Sequence, residues 1–252
     1  MSASASLRRG APLPAAVQVA MVAGLLAIAA GCWALTDARM AGMNAGPGTA
    51  LGGLGWFAIS WVVMMAAMML PATAPMAVAH ARLRPAAPGR ATLAFVAGYL
   101  LAWSAAGLVA YALIEGVRAL HLGFLAWDEA GRYVAGAAIL AAALFQLTPV
   151  KEACLRRCRD PLASRSGLEH GAHCIACCWA LMAALFALGV MSLTWMALVA
   201  ALIAAERAAP RVTRVAVVVA LVALATGVAL VPGRVPELTV PGATGMSHAQ
   251  MR

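Results

Sequence analysis

From Ala15 to Val231 the chain is a succession of apolar runs, separated by short gaps in which the Lys and Arg residues collect. Crossing the hydrocarbon of a bilayer takes about 20 predominantly apolar residues. Runs of that order lie at 15–35, 54–79, 91–114 and 212–231; a shorter one covers 133–150 and a longer one 172–205. Inside lipid the backbone polar groups must be satisfied within the segment, so runs of this length are expected to be helices. The expected fold class is all-α. It is a polytopic transmembrane helix bundle with six or seven spans, forming one integral membrane domain over 1–252 with a loose polar tail at 234–252.

Composition points the same way. The chain is 64% apolar and 11% charged, whereas a soluble domain carries about 45–50% and about 25%. A globule of 25.7 kDa cannot hide that much apolar side chain and still cover itself with polar groups. The net charge of +9 would raise the question of nucleic acid in a soluble protein. Here the basic residues sit between apolar runs, with no aromatic residues interleaved, which is the pattern of cytoplasmic loops under the positive-inside rule. Nucleic acid is therefore not an expected partner; the lipid bilayer is.

Arg8 and Arg9 precede the first run, as in a signal peptide, and Ala29-Ala30-Gly31-Cys32 resembles a lipoprotein cleavage box. The run is longer than a signal-peptide core and further spans come after it, so it reads as an uncleaved first helix with a cytoplasmic amino terminus. The run 172–205 is too long for one crossing. At about 1.5 Å per residue it would make about 50 Å of helix against about 30 Å of hydrocarbon. It either protrudes into the cytoplasm or breaks near Gly189. In both cases the loop from Lys151 to Gly171, with its many basic residues, faces the cytoplasm.

The chemistry-bearing residues cluster. Of six cysteines, Cys32 stands alone in the first run; Cys154, Cys158, Cys174, Cys177 and Cys178 crowd around the cytoplasmic loop. Stable disulfides are not expected in a reducing compartment, so clustered thiols there read as metal ligands or a redox pair. Cys154 and Cys158 are one helical turn apart, and Cys174 and Cys178 repeat that spacing. Extending it gives His170, Cys174, Cys178 and Met182 on one stripe, with Cys177 beside it and His173 at the membrane entrance. Lys151, Arg156, Arg157 and Arg159 are expected to lower the pKa values of the nearby thiols. A second cluster, Met64, Met65, Met68 and Met69, lies in the second run, where Met64 with Met68 and Met65 with Met69 share faces. Methionine also fills apolar helices as simple packing. Thioether and thiolate together favour Cu(I), with zinc or an iron–sulfur centre as alternatives at the thiolates. Pro71 and Pro75 lie just beyond the Met quartet and read either as a kink near a helix end or as a break beside a site. Glu206 and Arg207 close the long run and read as interface markers. No nucleophile elbow, phosphate loop, dinucleotide fingerprint or H-E-x-x-H is present.

Three stretches carry a resemblance to a known family. They are Trp61-Val-Val-Met-Met-Ala-Ala-Met-Met-Leu-Pro-Ala-Thr-Ala-Pro75; Phe145-Gln-Leu-Thr-Pro-Val-Lys151 leading into Cys154-Leu-Arg-Arg-Cys-Arg-Asp-Pro161; and Gly171-Ala-His-Cys-Ile-Ala-Cys-Cys-Trp-Ala-Leu-Met182, with Gly189-Val-Met191 and Trp195-Met196 beyond it. In these the chain, from about Trp56 to Pro210, resembles a bacterial family of predicted metal-binding integral membrane proteins, a domain of unknown function. Phe145 stands where that family often has Tyr, and Arg207 where Lys comes after Glu. The resemblance implies a protein of the bacterial inner membrane that binds metal through its Cys and Met motifs.

The expected function is binding of a soft transition metal, copper first, in metal handling or transport. Cys174, Cys177 and Cys178 form the core, Cys154 and Cys158 approach from the preceding loop, and the Met quartet lines a path or second site. A metal-donor or acceptor protein is the expected partner, and no enzymatic activity is expected. Two rivals stand beside this reading: a thiol–disulfide relay using Cys174-x-x-Cys177, and a structural or assembly subunit whose Cys and Met serve packing.

Overall fold

The computed structural model describes residues 13–40, 52–120, 131–188 and 192–230. These residues form eight α-helices and no strand: α1 Ala15–Met40, α2 Leu54–Arg82, α3 Pro88–Ala119, α4 Arg132–Gln146, α5 Pro149–Arg159, α6 Gly167–Leu188, α7 Leu193–Ala208 and α8 Pro210–Leu230. Five of them (α1, α2, α3, α6 and α8) are long and apolar enough to cross a membrane, and α4 with α5 makes a sixth if that bent pair is one span. Arg8, Arg9, His121, Gly189, Met191, His248 and the tail 234–252 lie outside the described residues.

Two of the expected runs are reshaped. The run 133–150 ends as a helix at Gln146 and turns through 69° into α5. Thr148 causes the fresh start: its side chain accepts from the Lys151 backbone N–H at 3.2 Å, and Pro149 takes the first helical position, where a missing N–H costs nothing. The stretch expected as a loop carrying Cys154 and Cys158 is therefore a helix with basic residues in its last turn. The run 172–205 is two helices rather than one. The last turn of α7 lies against the first half of α6, through Arg207 and Cys174, so the two helices run antiparallel. By contrast, α2 continues through Pro71 and Pro75 to Arg82 without interruption.

Small residues set the closest approach. Gly167 and Gly171 face α3 one turn apart, the spacing that lets two helices in lipid approach backbone to backbone. A Cβ on Gly167 would lie 1.7 Å from the Phe95 carbonyl oxygen, and one on Gly171 would lie 2.5 Å from the Ala102 methyl. Further along, the Trp61 indole lies over Gly107 and donates to the Trp103 carbonyl at 2.8 Å. The core runs between α2, α3, α4, α6, α7 and α8 and takes in Leu155 and Cys158 of α5, with α2 and α6 buried over more than half their length and α1 mostly exposed. The outer faces carry exposed Leu93, Leu101, Leu113, Leu144, Val215 and Val219. Apolar exposure on this scale is unusual for a protein surrounded by water and is compatible with a multi-pass membrane protein.

Candidate metal centre

Five helices bring one side chain each to the same end of the bundle: Thr73 from α2, Tyr99 from α3, Cys158 from α5, Cys174 from α6 and Arg207 from α7. The close α3–α6 packing puts Tyr99 beside α6, and the elbow before α5 turns Cys158 back towards it. The Sγ atoms of Cys158, Cys174 and Cys177 lie within 4.8 Å of one another, all three buried. Cys177 Sγ is 3.5 Å from Cys158 Sγ and 3.4 Å from Cys178 Sγ. Among the described residues this is the group of His, Cys, Asp and Glu side chains spaced to hold a metal ion. Three converging sulfurs in an apolar core form a soft donor set of low coordination number, suited to Cu(I) and less so to hard ions.

Cys174 is the best-held sulfur. Arg207 Nη2 donates to its Sγ at 2.6 Å, and Tyr99 Oη lies 3.1 Å from the same atom. The Arg207 Nη1 also donates to the Ala72 carbonyl at 3.1 Å and to Thr73 Oγ1 at 3.2 Å, which fixes the guanidinium in place. Nearby, Lys151 Nζ is buried with Glu206 at 2.7 Å and donates to the Cys177 carbonyl at 2.7 Å. Lys151 thus steadies the cluster through the backbone and not by facing a thiol. Arg156 is exposed and pairs with Glu152 at 2.9 Å. The cation at the sulfurs is Arg207, in place of the loop cations expected there.

The other expected ligands take varied positions. Cys178 is buried beside Cys177, and Cys154 packs half-buried against the core. His170 is buried between the rings of Phe95 and Tyr99, its Nε2 without a hydrogen-bond partner among the described residues. His173 turns away to Ser164, Nδ1 to Oγ 3.1 Å. Met64, Met65, Met68, Met69 and Met182 are buried in the same core as the cysteines, with Met69 one turn from Thr73 along α2. Nothing in the local sequence marks Tyr99, Thr73 or Arg207 as site residues. The one available signal is the adjacent pair Glu206-Arg207 at the end of an apolar run, since ionisable groups in such segments usually have a buried partner.

A family model described as PpoB2, copper chaperone, matches residues 58–230, more than half of the chain. The chain belongs to this copper-chaperone family. The match takes in every residue of the cluster, from the Met quartet to Arg207, and leaves α1 outside. The metal-binding resemblance read from the sequence motifs thus meets a metal-related family. No curated protein and no solved structure matches the chain.

Proposed function

We propose that this chain is a multi-pass inner-membrane protein that takes up and passes on copper as Cu(I), its cargo, at the cysteine cluster. The observation that carries this is the set of three buried sulfurs within 4.8 Å of one another; membership of a copper-chaperone family supports it. Cys158, Cys174 and Cys177 are the ligands, with Cys178 and His170 in reserve around them and Cys154 and His173 towards the outer rim. The basic gaps put the cluster end of the bundle on the cytoplasmic side. The Met quartet, one turn further along α2, offers thioethers on the way towards the other face. Such a protein works with a metal-donor or acceptor protein and needs no bond-making chemistry.

Elemental analysis after anaerobic exposure to Cu(I) tests the reading. The detergent-purified protein is compared with a Cys158/Cys174/Cys177→Ser variant. Near-stoichiometric copper in the wild type, lost in the variant, is the expected result; two empty proteins would overturn it. A second reading is favoured by the 3.5 Å approach of Cys158 and Cys177, which places two thiols where a reversible relay would need them. Thiol trapping in cells separates the two: a population carrying an oxidised Cys158–Cys177 pair, together with no copper, would select the relay.

A further inference from the structure

We propose that Arg207 sets the charge of the ion that the cluster accepts, favouring a monovalent ion over a divalent one. The inference rests on the metal-handling reading above and goes beyond it by naming what discriminates between ions. Three observations carry it. The guanidinium is 2.6 Å from Cys174 Sγ, so any ion on that sulfur has a fixed positive charge as its neighbour. The guanidinium is also tied to the Ala72 carbonyl and the Thr73 hydroxyl, both neutral acceptors on α2, so it is held where it stands. No carboxylate offsets its charge: among the described residues none pairs with Arg207, and the neighbouring Glu206 is committed to Lys151 at 2.7 Å.

The consequence is electrostatic. Repulsion between the guanidinium and a bound ion scales with the ion's charge. For unit charges about 4 Å apart at an effective dielectric constant of about 20, each extra charge lowers affinity by up to about three orders of magnitude. Solvent at the half-buried rim reduces that figure, and a discrimination of about tenfold or more remains the expectation. Soft thiolates bind Zn(II) readily, so sulfur chemistry alone does not reject zinc. An arginine, which stays charged in proteins, supplies a rejection that does not depend on ligand type.

The test is competition of the full-length, detergent-purified protein against chelators for Cu(I) and, separately, for Zn(II), under anaerobic conditions. The variants are Arg207→Gln and Arg207→Lys. Arg207→Gln is expected to raise the ratio of zinc to copper affinity about tenfold or more, whereas Arg207→Lys, which keeps the charge, is expected to stay within about threefold of wild type. A purely structural arginine would weaken both ions alike, and an unchanged ratio in Arg207→Gln overturns the proposal. Should the glutamine variant not fold, Arg207→Met, which also removes the charge, decides in its place: a zinc-to-copper ratio raised about tenfold or more supports the proposal and an unchanged ratio overturns it, and a shift of about tenfold in Arg207→Lys, with the charge retained, overturns it as well. A wild type that takes neither ion brings down the metal reading itself, a distinct result.

Discussion

Cys174 sits at the crossing of two hydrogen bonds from different helices, one to Arg207 of α7 and one to Tyr99 of α3. The pair divides the work. The guanidinium sets charge, and the phenol orients the sulfur. Tyr99→Phe keeps the ring and removes the hydroxyl, so it is expected to cost about 1 kcal/mol of stability and to loosen copper retention modestly. Thermal unfolding and chelator competition on the same preparation would read both. An unaltered copper affinity would show that the hydroxyl plays no part in holding the sulfur. At this scale the sequence is informative where neighbours in space are neighbours in chain. The spacing of Cys174, Cys177 and Cys178 on one helix announces a cluster without any knowledge of the fold. It says nothing of Tyr99 or Arg207, since each reaches Cys174 only once remote helices have packed. The Met quartet shows the opposite limit: all four side chains are buried, and burial suits a packing residue as well as a ligand.

At the scale of helices, two features hold the cluster's walls. The first is the buried pair Lys151–Glu206, which ties α5 to α7. Lys151→Met would strand the Glu206 carboxylate in the interior, at a cost of about 3–5 kcal/mol, whereas Lys151→Met combined with Glu206→Met should recover most of it. A double-mutant cycle in detergent unfolding measures this coupling, and additive losses would contradict it. The second feature is the contact of Gly167 with Phe95. Gly167→Ala must move a backbone, so it is expected to destabilise the bundle by about 2 kcal/mol or more. Gly89→Ala, which meets open space, is expected to be silent. The helices themselves are legible in the apolar runs, because an apolar segment kept from water must pair its backbone groups within itself, and a helix does so. The elbow at Thr148-Pro149 is half legible: the proline marks an end, but the polar, basic stretch beyond it has the composition of a loop and folds as a helix. The break in the run 172–205 is not decided by charge counting, which both forms satisfy. What decides it is the meeting of Arg207 with Cys174, a contact invisible to hydropathy.

For the whole molecule, that meeting fixes the direction of the last helix. With α6 and α7 antiparallel, α8 starts at the cluster end and finishes at the opposite one. If the cluster end is cytoplasmic, a reporter active only outside the cytoplasm, fused after Leu230, should be active, and the same reporter fused at Ser164 should be silent. A silent Leu230 fusion beside a silent Ser164 fusion would mean that α7 does not return across the bilayer. Helix α1 lies outside the family match and is mostly exposed, so it is the element whose loss the cluster should tolerate best.

The 69° elbow between α4 and α5 gives the site leverage. Cys158 rides near the tip of a short arm, while Cys174 and Cys177 are built into a stiff shaft. With about 1.5 Å of rise per residue, the tip lies roughly 15 Å from the joint, so a swing of about 10° carries Cys158 about 2–3 Å. That is comparable with its present distance from Cys177, while Lys151, which ties α5 to α6 and α7, sits within a turn of the joint and shifts little. A visitor that grips the outer face of α5 would therefore work the site like a pair of tongs, taking an ion from three points of hold to two by bending a single joint.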